Sequence, residues 1–498
     1  MPIRGILNLF IPDGKEANVT TGIIHHIKDR WQREGGYREM LIIAFPLILS
    51  TSSWSLQHFI DRMFLTWYSP ETVAASMPAG LLNFTLISIF QGIAGYVGTF
   101  VAQYYGAGMH KRIGPAIWQG NYIAFIGGAV LLAVIPLAEP FFNWIGHDPA
   151  VRRAEIDYFK ILCLGGFPVI ATASLSCFYA GRGKTWTIMW INVVATGVNL
   201  IGDYLLIFGH WGLPEMGIKG AAIASVLSPT TALVLYLILF ARPSYNHEYA
   251  LFSGWRFDKK LFGRLLHYGL PSGVQFFLDV AGFTAFLFFV GRLGTEKLAA
   301  TNIAFNINTL AFMPMIGIGI AVSILVGQNI GKNRPDLAER NTYTGFIMTF
   351  IYMAMMASLY MFVPDLFIAP YAAQAKAEEF KPIGELAKVL LRFVALYSLF
   401  DGMNIIFASA VKGAGDTRYV MRMILVVSLI VLIIPTYIAL VKLHMGIYTA
   451  WTIITFYVII LGFSFFFRFL GGKWKKMKVI EETPLGVPTS YPEAPTDM

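Results

Sequence analysis

Gly92-Ile93-Ala94-Gly95 leading to Gln103-Tyr104-Tyr105-Gly106, and Gly317-Ile318-Gly319-Ile320 leading to Gln328-Asn329-Ile330-Gly331, are the stretches from which the fold can be read. Each closes a long apolar run. Each also stands at the same distance from an earlier proline, since Pro46 precedes Gln103 by 57 residues and Pro271 precedes Gln328 by 57. Working outward, Gly181-Arg182-Gly183-Lys184-Thr185 finds its match in Gly413-Ala414-Gly415-Asp416-Thr417, and Gly217-Ile218 finds its match in Gly446-Ile447. Four matches in one order mean that the chain is two copies of one unit.

The unit is a bundle of membrane helices. Of 498 residues 56% are hydrophobic and 13% charged, against about 25% charged in an ordinary soluble domain. A globule of this size has too little interior to hide so much apolar surface, so lipid is the solvent for most of it. A spanning helix needs about 20 mostly apolar residues, because unpaired backbone groups are costly in hydrocarbon. Runs of that kind fall near 40–66, 75–105, 117–139, 157–179, 187–208, 218–240, 263–290, 299–327, 343–365, 388–411, 419–441 and 446–468, the long second and eighth being expected to tilt or to break at their glycines.

The expected fold is therefore all-α and integral to the membrane, with twelve transmembrane helices in two pseudo-symmetric six-helix bundles. Six is even, so the halves enter from the same side and are related by an axis along the membrane normal, with a cleft between them. The expected organisation is an N-terminal arm over 1–37, one lobe over 38–240, a linker over 241–262, a second lobe over 263–470 and a disordered tail over 471–498. The arm has no secretory-signal form, since Asp13, Lys15 and Glu16 follow its short apolar run; Asn18-Val19-Thr20 on a cytoplasmic arm is no glycosylation site.

Charge orients the bundle. The formal net charge of +9 sits mainly in short linkers, including Lys111 and Arg112, Arg182 and Lys184, Arg256 with Lys259 and Lys260, and Lys332 with Arg334. Short-loop Lys and Arg mark the cytoplasmic side, so both termini face the cytoplasm, in a bacterial inner membrane. Arg152 and Arg153 beside Asp148 and Glu155, and Lys376 and Lys381 beside Glu378 and Glu379, carry less weight because their linkers are longer and mixed in charge. This distribution gives no reason to expect nucleic acid as a partner. Cys163 and Cys177 lie in apolar stretches as small hydrophobes and define neither a disulfide framework nor a zinc spacing.

Four acids stand well inside the spans: Asp61, Asp203, Asp279 and Asp401, with His58 and Arg62 flanking the first. A charge at mid-membrane costs about 2.5 kcal/mol even on lenient scales, so such groups face cavities or polar partners and mark ion or substrate paths. A structural hydrogen bond is a fair alternative for one of them and a poor one for four, two per half. Asn199 and Asp203 share a helix face, and Ser225 is a third oxygen if the sixth span packs beside them. Tyr397 and Asp401 repeat the spacing, Gln275 is a turn before Asp279, Gln57 a turn before Asp61, and Asn302 and Asn306 give the eighth span a polar pair suited to lining a cavity. Oxygens so placed suit sodium, a hard cation, at the Asp203 or the Asp401 cluster; low polarity equally suits a carboxylate that takes up a proton. Organic cations fit the same acids and the aromatic residues around them.

Gly183-Lys184-Thr185 lacks the upstream glycine of a nucleotide-binding loop, so ATP is not the expected energy source. The chain has no zinc-protease motif, nucleophile elbow or potassium-filter repeat, and neither an enzyme nor a channel is expected.

These features resemble the multidrug and toxic compound extrusion (MATE) transporters, particularly their NorM-like branch, over about residues 36–470. The resemblance rests on Pro46 followed by Asp61, on Val101-Ala102-Gln103-Tyr104-Tyr105-Gly106, on Gly269-Leu270-Pro271-Ser272-Gly273-Val274-Gln275, and on Asp401 leading to Lys412-Gly413-Ala414-Gly415-Asp416-Thr417. It implies a V-shaped pair of lobes exchanging Na+ or H+ for small organic, often cationic compounds, with no other cofactor and as a monomer in lipid. It implies an N-lobe coupling site at Asp61, Asn199, Asp203 and Ser225, and a C-lobe site at Asp279, Tyr397 and Asp401. Asp279 stands where the family usually has Glu, and Gln57 where some members have Tyr. Polysaccharide or lipid-precursor flippases of the same superfamily are the alternative and would need a basic cleft; a non-transporting scaffold is a more distant one.

Overall fold

The computed structural model describes residues 31–372 and 377–481. The arm up to residue 30, including Asn18-Val19-Thr20, lies outside the described residues, as do Lys376 and the tail beyond Glu481. Among the described residues eleven helices are each long and apolar enough to cross a bilayer, and a bent pair supplies a twelfth span. In chain order the spans are α1 (Tyr37–Tyr68), α2 (Pro70–Gly106), α3 (His110–Ile145), α4 (Pro149–Leu164 with Gly166–Ala180), α5 (Thr185–Phe208), α6 (Ile218–Phe240), α7 (Lys259–Gly291), α8 (Thr295–Gly331), α9 (Pro335–Phe362), α10 (Ala377–Ala414), α11 (Thr417–Lys442) and α12 (Ile447–Leu470).

Local chemistry sets several of the helix starts. Ser69 accepts a hydrogen bond from the Thr72 amide and is followed by Pro70, so α1 turns into α2 within a residue. Asp148 with Pro149 opens α4 in the same way, and Asp258 caps α7. Of the two long runs expected to tilt or break at their glycines, the second breaks at Tyr96, directly after Gly95, and the eighth is one continuous helix. The sharper bend, 42° in α4 at Gly165, was not expected. Pro168 explains it, because it has no amide hydrogen to give the Leu164 carbonyl and its ring crowds that turn.

Helices α1–α6 pack as one bundle and α7–α12 as the other, joined mainly by α1 against α8 and α2 against α7 and α8. The repeat motifs make the joint. A Cβ on Gly106 would stand 2.0 Å from the Gln328 carbonyl oxygen, and one on Gly331 would stand 2.2 Å from that of Gln103, so these helices touch backbone to backbone about the pseudo-twofold. Gly92 meets Gly273 and Gly317 meets Ile48 in the same paired fashion. Gln103 donates across the interface to the carbonyls of Gly413 and Ala414 at 3.1 and 3.3 Å, and Gln328 donates to Gly181 at 2.8 Å. The matching glutamines and glycine loops of the two halves are thus each other's partners. Tyr96 adds a bond to the Lys412 carbonyl at 2.9 Å. These contacts gather toward the face where α1 begins and α12 ends, the terminal face, and there the lobes are closed against each other.

The expected disordered tail needs correcting over 471–481. Trp474, Val479 and Ile480 are buried, and Trp474 stacks on Phe469 with ring centroids 4.8 Å apart. The Val479 amide donates to Gln103 at 2.9 Å. Glu481 accepts from Tyr104 at 2.7 Å, Arg112 at 2.8 Å and Arg264 at 2.6 Å. Tyr104 and Arg112 belong to the first lobe and Arg264 to the second, so the segment is a strap across both. Its apolar residues and one acid meet a basic surface that is visible only once the lobes are assembled. Burial alone would raise the Glu481 pKa, yet the bonds from Arg264 and Tyr104 and the Arg112 charge hold it down to about 2.

Candidate functional site

In the first lobe α5 turns a polar face inward through Asn199 and Asp203, spaced four residues apart between buried Ala195 and Ile207. Gly202 lets α6 approach closely, since a Cβ there would meet that of Ala224 at 3.1 Å. Asp61 enters from α1, and its carboxyl faces that of Asp203 within hydrogen-bonding reach. Both are buried, with Asn199 and Asp203 at 0% exposure. Both oxygens of Asp203, one of Asp61 and both polar atoms of the Asn199 amide are buried without a hydrogen-bond partner. Two ionised carboxylates can only accept, so this pair is satisfied by a proton on one of them or by a cation between their oxygens. His58 stands 3.9 Å from Asp61, and exposed Arg62 adjoins it along the chain.

Tyr158 of α4 completes this cluster, and sequence reasoning missed it. It is buried beside Asp61, Asp203 and Ser225, which brings α1, α4, α5 and α6 to one point. Nothing in its local sequence sets it apart from the other 22 tyrosines; only its spacing on the buried stripe Glu155, Tyr158, Phe159, Cys163 points inward. Gln57, a turn before Asp61, is half-buried.

In the second lobe Asp279 of α7 accepts from Gln275 at 3.1 Å, and Asp401 of α10 accepts from Asn404 at 3.2 Å. The two acids act on each other electrostatically, and both act on Tyr457 of α12, whose hydroxyl is 3.1 Å from that of Ser428 on α11. Tyr397 is buried and accepts from Asn308 at 3.3 Å. Asn308 is thus the α8 asparagine that reaches this cluster; Asn302 and Asn306 share a face as expected, but that face is exposed. Lys412 lies within electrostatic range of Asp279, yet no ion pair joins them. Among the described residues no three His, Cys, Asp or Glu side chains converge as a metal site, so a cation here would rest on the mixed carboxylate, amide and hydroxyl oxygens, which suit a hard, weakly held ion.

Helices, lobes and acids together match one known family. The MatE family profile covers residues 46–205 and 271–438, well over half of the chain and the same segment of each half. The chain belongs to the MatE family. Its members similar to this chain include a probable multidrug resistance protein NorM of Thermotoga maritima, 26% identical over 89% of this chain and 94% of that one. They also include the multidrug resistance protein PmpM of Pseudomonas aeruginosa, 28% identical over 78% and 80%. Among solved structures, the outward-facing conformation of a multidrug resistance MATE family transporter superposes with a TM-score of 0.80 at 16% identity, covering 90% of this chain and 98% of that one. A transporter of the wider MOP superfamily from Pyrococcus furiosus, described as having a binding pocket of reversed polarity, gives 0.79 at 17%. As a MatE protein the chain is a multi-span membrane transporter.

Proposed function

We propose that this MatE transporter is a secondary active multidrug exporter, acting as a monomer and exchanging cationic or amphipathic organic compounds for Na+ or H+ by alternating access, with both termini in the cytoplasm of a bacterial cell. The observation that carries this reading is the Asp61–Asp203–Asn199 cluster, a buried set of unpartnered oxygens, matched by a second acid cluster in the other lobe. A fixed internal partner would have been built in if the acids were only structural; a mobile positive ion is the partner that can come and go.

In this reading the terminal face, where the lobes are closed against each other, is cytoplasmic, so the cleft of this state gives onto the outside. Ion binding at either cluster reshapes the helices lining the cleft and releases the drug outward. The lobes then rock, the ion leaves inward, and drug enters from the cytoplasm or inner leaflet. The ion drives this only through its different affinity for the two states. Trp54, Phe84 and Phe276 form an aromatic chain from α1 through α2 to α7 across the lobes, with centroids 6.0 and 5.7 Å apart, a surface suited to flat cations. A lipid-precursor flippase would need a basic cleft for pyrophosphate, and here the spans carry four acids against two nearby cations, Arg62 by Asp61 and Lys412 by Asp279. The test is dye export from liposomes under separately imposed sodium and pH gradients. Export is expected under at least one, with loss in Asp203→Asn or Asp401→Asn locating the coupling; full export by both variants removes these acids from the mechanism.

A further inference from the structure

The segment between the lobes interleaves aromatic and basic residues, reading Leu251-Phe252-Ser253-Gly254-Trp255-Arg256-Phe257-Asp258-Lys259-Lys260. It is fixed along the side of α3. Trp118 Nε1 donates to the Leu251 carbonyl at 2.5 Å, the Tyr122 hydroxyl donates to that of Trp255, and a Cβ on Gly254 would stand 2.7 Å from the ring of Pro115. Between this segment and the start of α3 lies a cavity of about 490 Å3. Arg112 lines it from the first lobe, and Arg256, Phe257, Lys259 and Lys260 line it from the linker and the first turn of α7.

The acids of this region are engaged. Asp258 accepts from the Lys260 and Leu261 amides, both at 3.0 Å, as the cap of α7 and lies 3.4 Å from Arg112. Glu481 holds Arg112 and Arg264, and Glu248 stands 3.4 Å from His110. Among the described residues no ion pair joins Arg256, Lys259 or Lys260 to an acid. Charges that serve only to orient a span would gain by spreading apart into water, whereas these converge with Arg112 on one cavity.

Beside the cavity the surface turns apolar toward the membrane interior. Trp255 and Phe257 are 59% and 57% exposed. Phe257 packs edge-on against Tyr122, with centroids 5.5 Å apart, and Phe125, three residues further along the same side of α3, is 53% exposed. Cations at the end of a span, with exposed Trp and Phe leading on to its lipid-facing side, are the chemistry of the headgroup region of a bilayer.

We propose that this cavity binds the phosphate of an anionic phospholipid from the leaflet at the terminal face. Arg112, Arg256, Lys259 and Lys260 take the phosphate, and the acyl chains run along α3 past Phe257 and Phe125. The exposed rings are what distinguish a lipid from a free anion, which would have no contact to make with them. The site goes beyond the exporter reading and stands whatever solute is carried, since it needs only that α3 and α7 span the membrane.

The test is equilibrium binding of phosphatidylglycerol, labelled on an acyl chain, to the delipidated full chain in detergent, with the lipid-free thermal midpoint measured alongside. Unlabelled phosphatidylglycerol should displace the probe, and phosphatidylcholine or inorganic phosphate at the same concentration should not. Arg256→Gln, Lys259→Gln and Lys260→Gln combined should weaken binding roughly tenfold or more, and Lys259→Gln alone about fivefold with an unchanged midpoint. Lys473→Gln with Lys476→Gln, which removes exposed charge from the strap on the same face, should bind as the wild type does. Wild-type affinity in the combined and single variants overturns the proposal, as does an equal loss in the strap variant, which would reduce the effect to general surface charge. Displacement by phosphatidylcholine, or by inorganic phosphate as well as by the lipid, overturns it too.

Discussion

At the scale of single residues, Asp61 and Asp203 hold buried oxygens without partners. A buried carboxylate left unpaired costs several kcal/mol, so Asp61 and Asp203 facing each other are tolerable only with a proton or cation between them. Tyr158→Phe keeps the ring and removes the hydroxyl beside Ser225. We expect it to preserve folding and drug binding while slowing ion-driven export, read as a drop in maximal rate with little change in half-saturation; an unchanged rate would confine Tyr158 to packing. Gly106 is the opposite case, a residue whose missing atom matters. Gly106→Val places side-chain carbon where the Gln328 carbonyl already is, and overpacking of this sort costs about 1–3 kcal/mol. Because the strain exists only while the terminal face is closed, spin labels on the two lobes should report that face more open than in the wild type; identical distances would contradict the tight joint.

At the scale of elements, the strap over 471–481 ties the lobes at the terminal face through Glu481. Replacing it by Gln leaves Arg264 without this acid and Arg112 with Asp258 alone at 3.4 Å, a loss of about 1–2 kcal/mol, and should lower the thermal midpoint and favour opening at that face. The pH sense follows from the depressed pKa. The contribution is fully present above the ordinary glutamate value near 4.5 and is lost as pH falls toward about 2. Unfolding followed from pH 6 down to 2 should show wild type and Glu481→Gln converging; parallel curves would mean that Glu481 adds nothing to the closed state. Much at this scale was legible beforehand. Apolar length located the spans, and the offset between Pro46 and Pro271 marked the repeat, because both are local properties of the chain. The meeting of the repeated glutamines and glycine loops with each other was not legible, since it depends on how the halves dock. Nor was the α4 bend at Gly165, which Pro168 sets three residues on. Glu155 was hidden by its charged neighbours, and the strap by a composition that resembles a tail until its basic partners are in place. The four acids were legible because charge inside a span is costly wherever it points; that Asp61 reaches Asp203 through packing of four helices was not.

At the scale of the whole molecule, the two lobes are joined at the terminal face, and in the exporter reading proposed above an ion moves them between two states only by preferring one. The energy available is the difference in its affinity for the two, and linkage makes the effect mutual. The most direct measurement is equilibrium binding of a fluorescent organic cation to the purified protein, titrated with sodium at fixed pH and across pH at fixed sodium. We expect one of the two ions to weaken dye binding by about 5- to 150-fold, the span of typical coupling energies, and the dye to weaken that ion's binding by the same factor, with the effect lost in Asp203→Asn or Asp401→Asn. Dye affinity that is indifferent to both ions would contradict the claim that these buried acids couple ion entry to drug release.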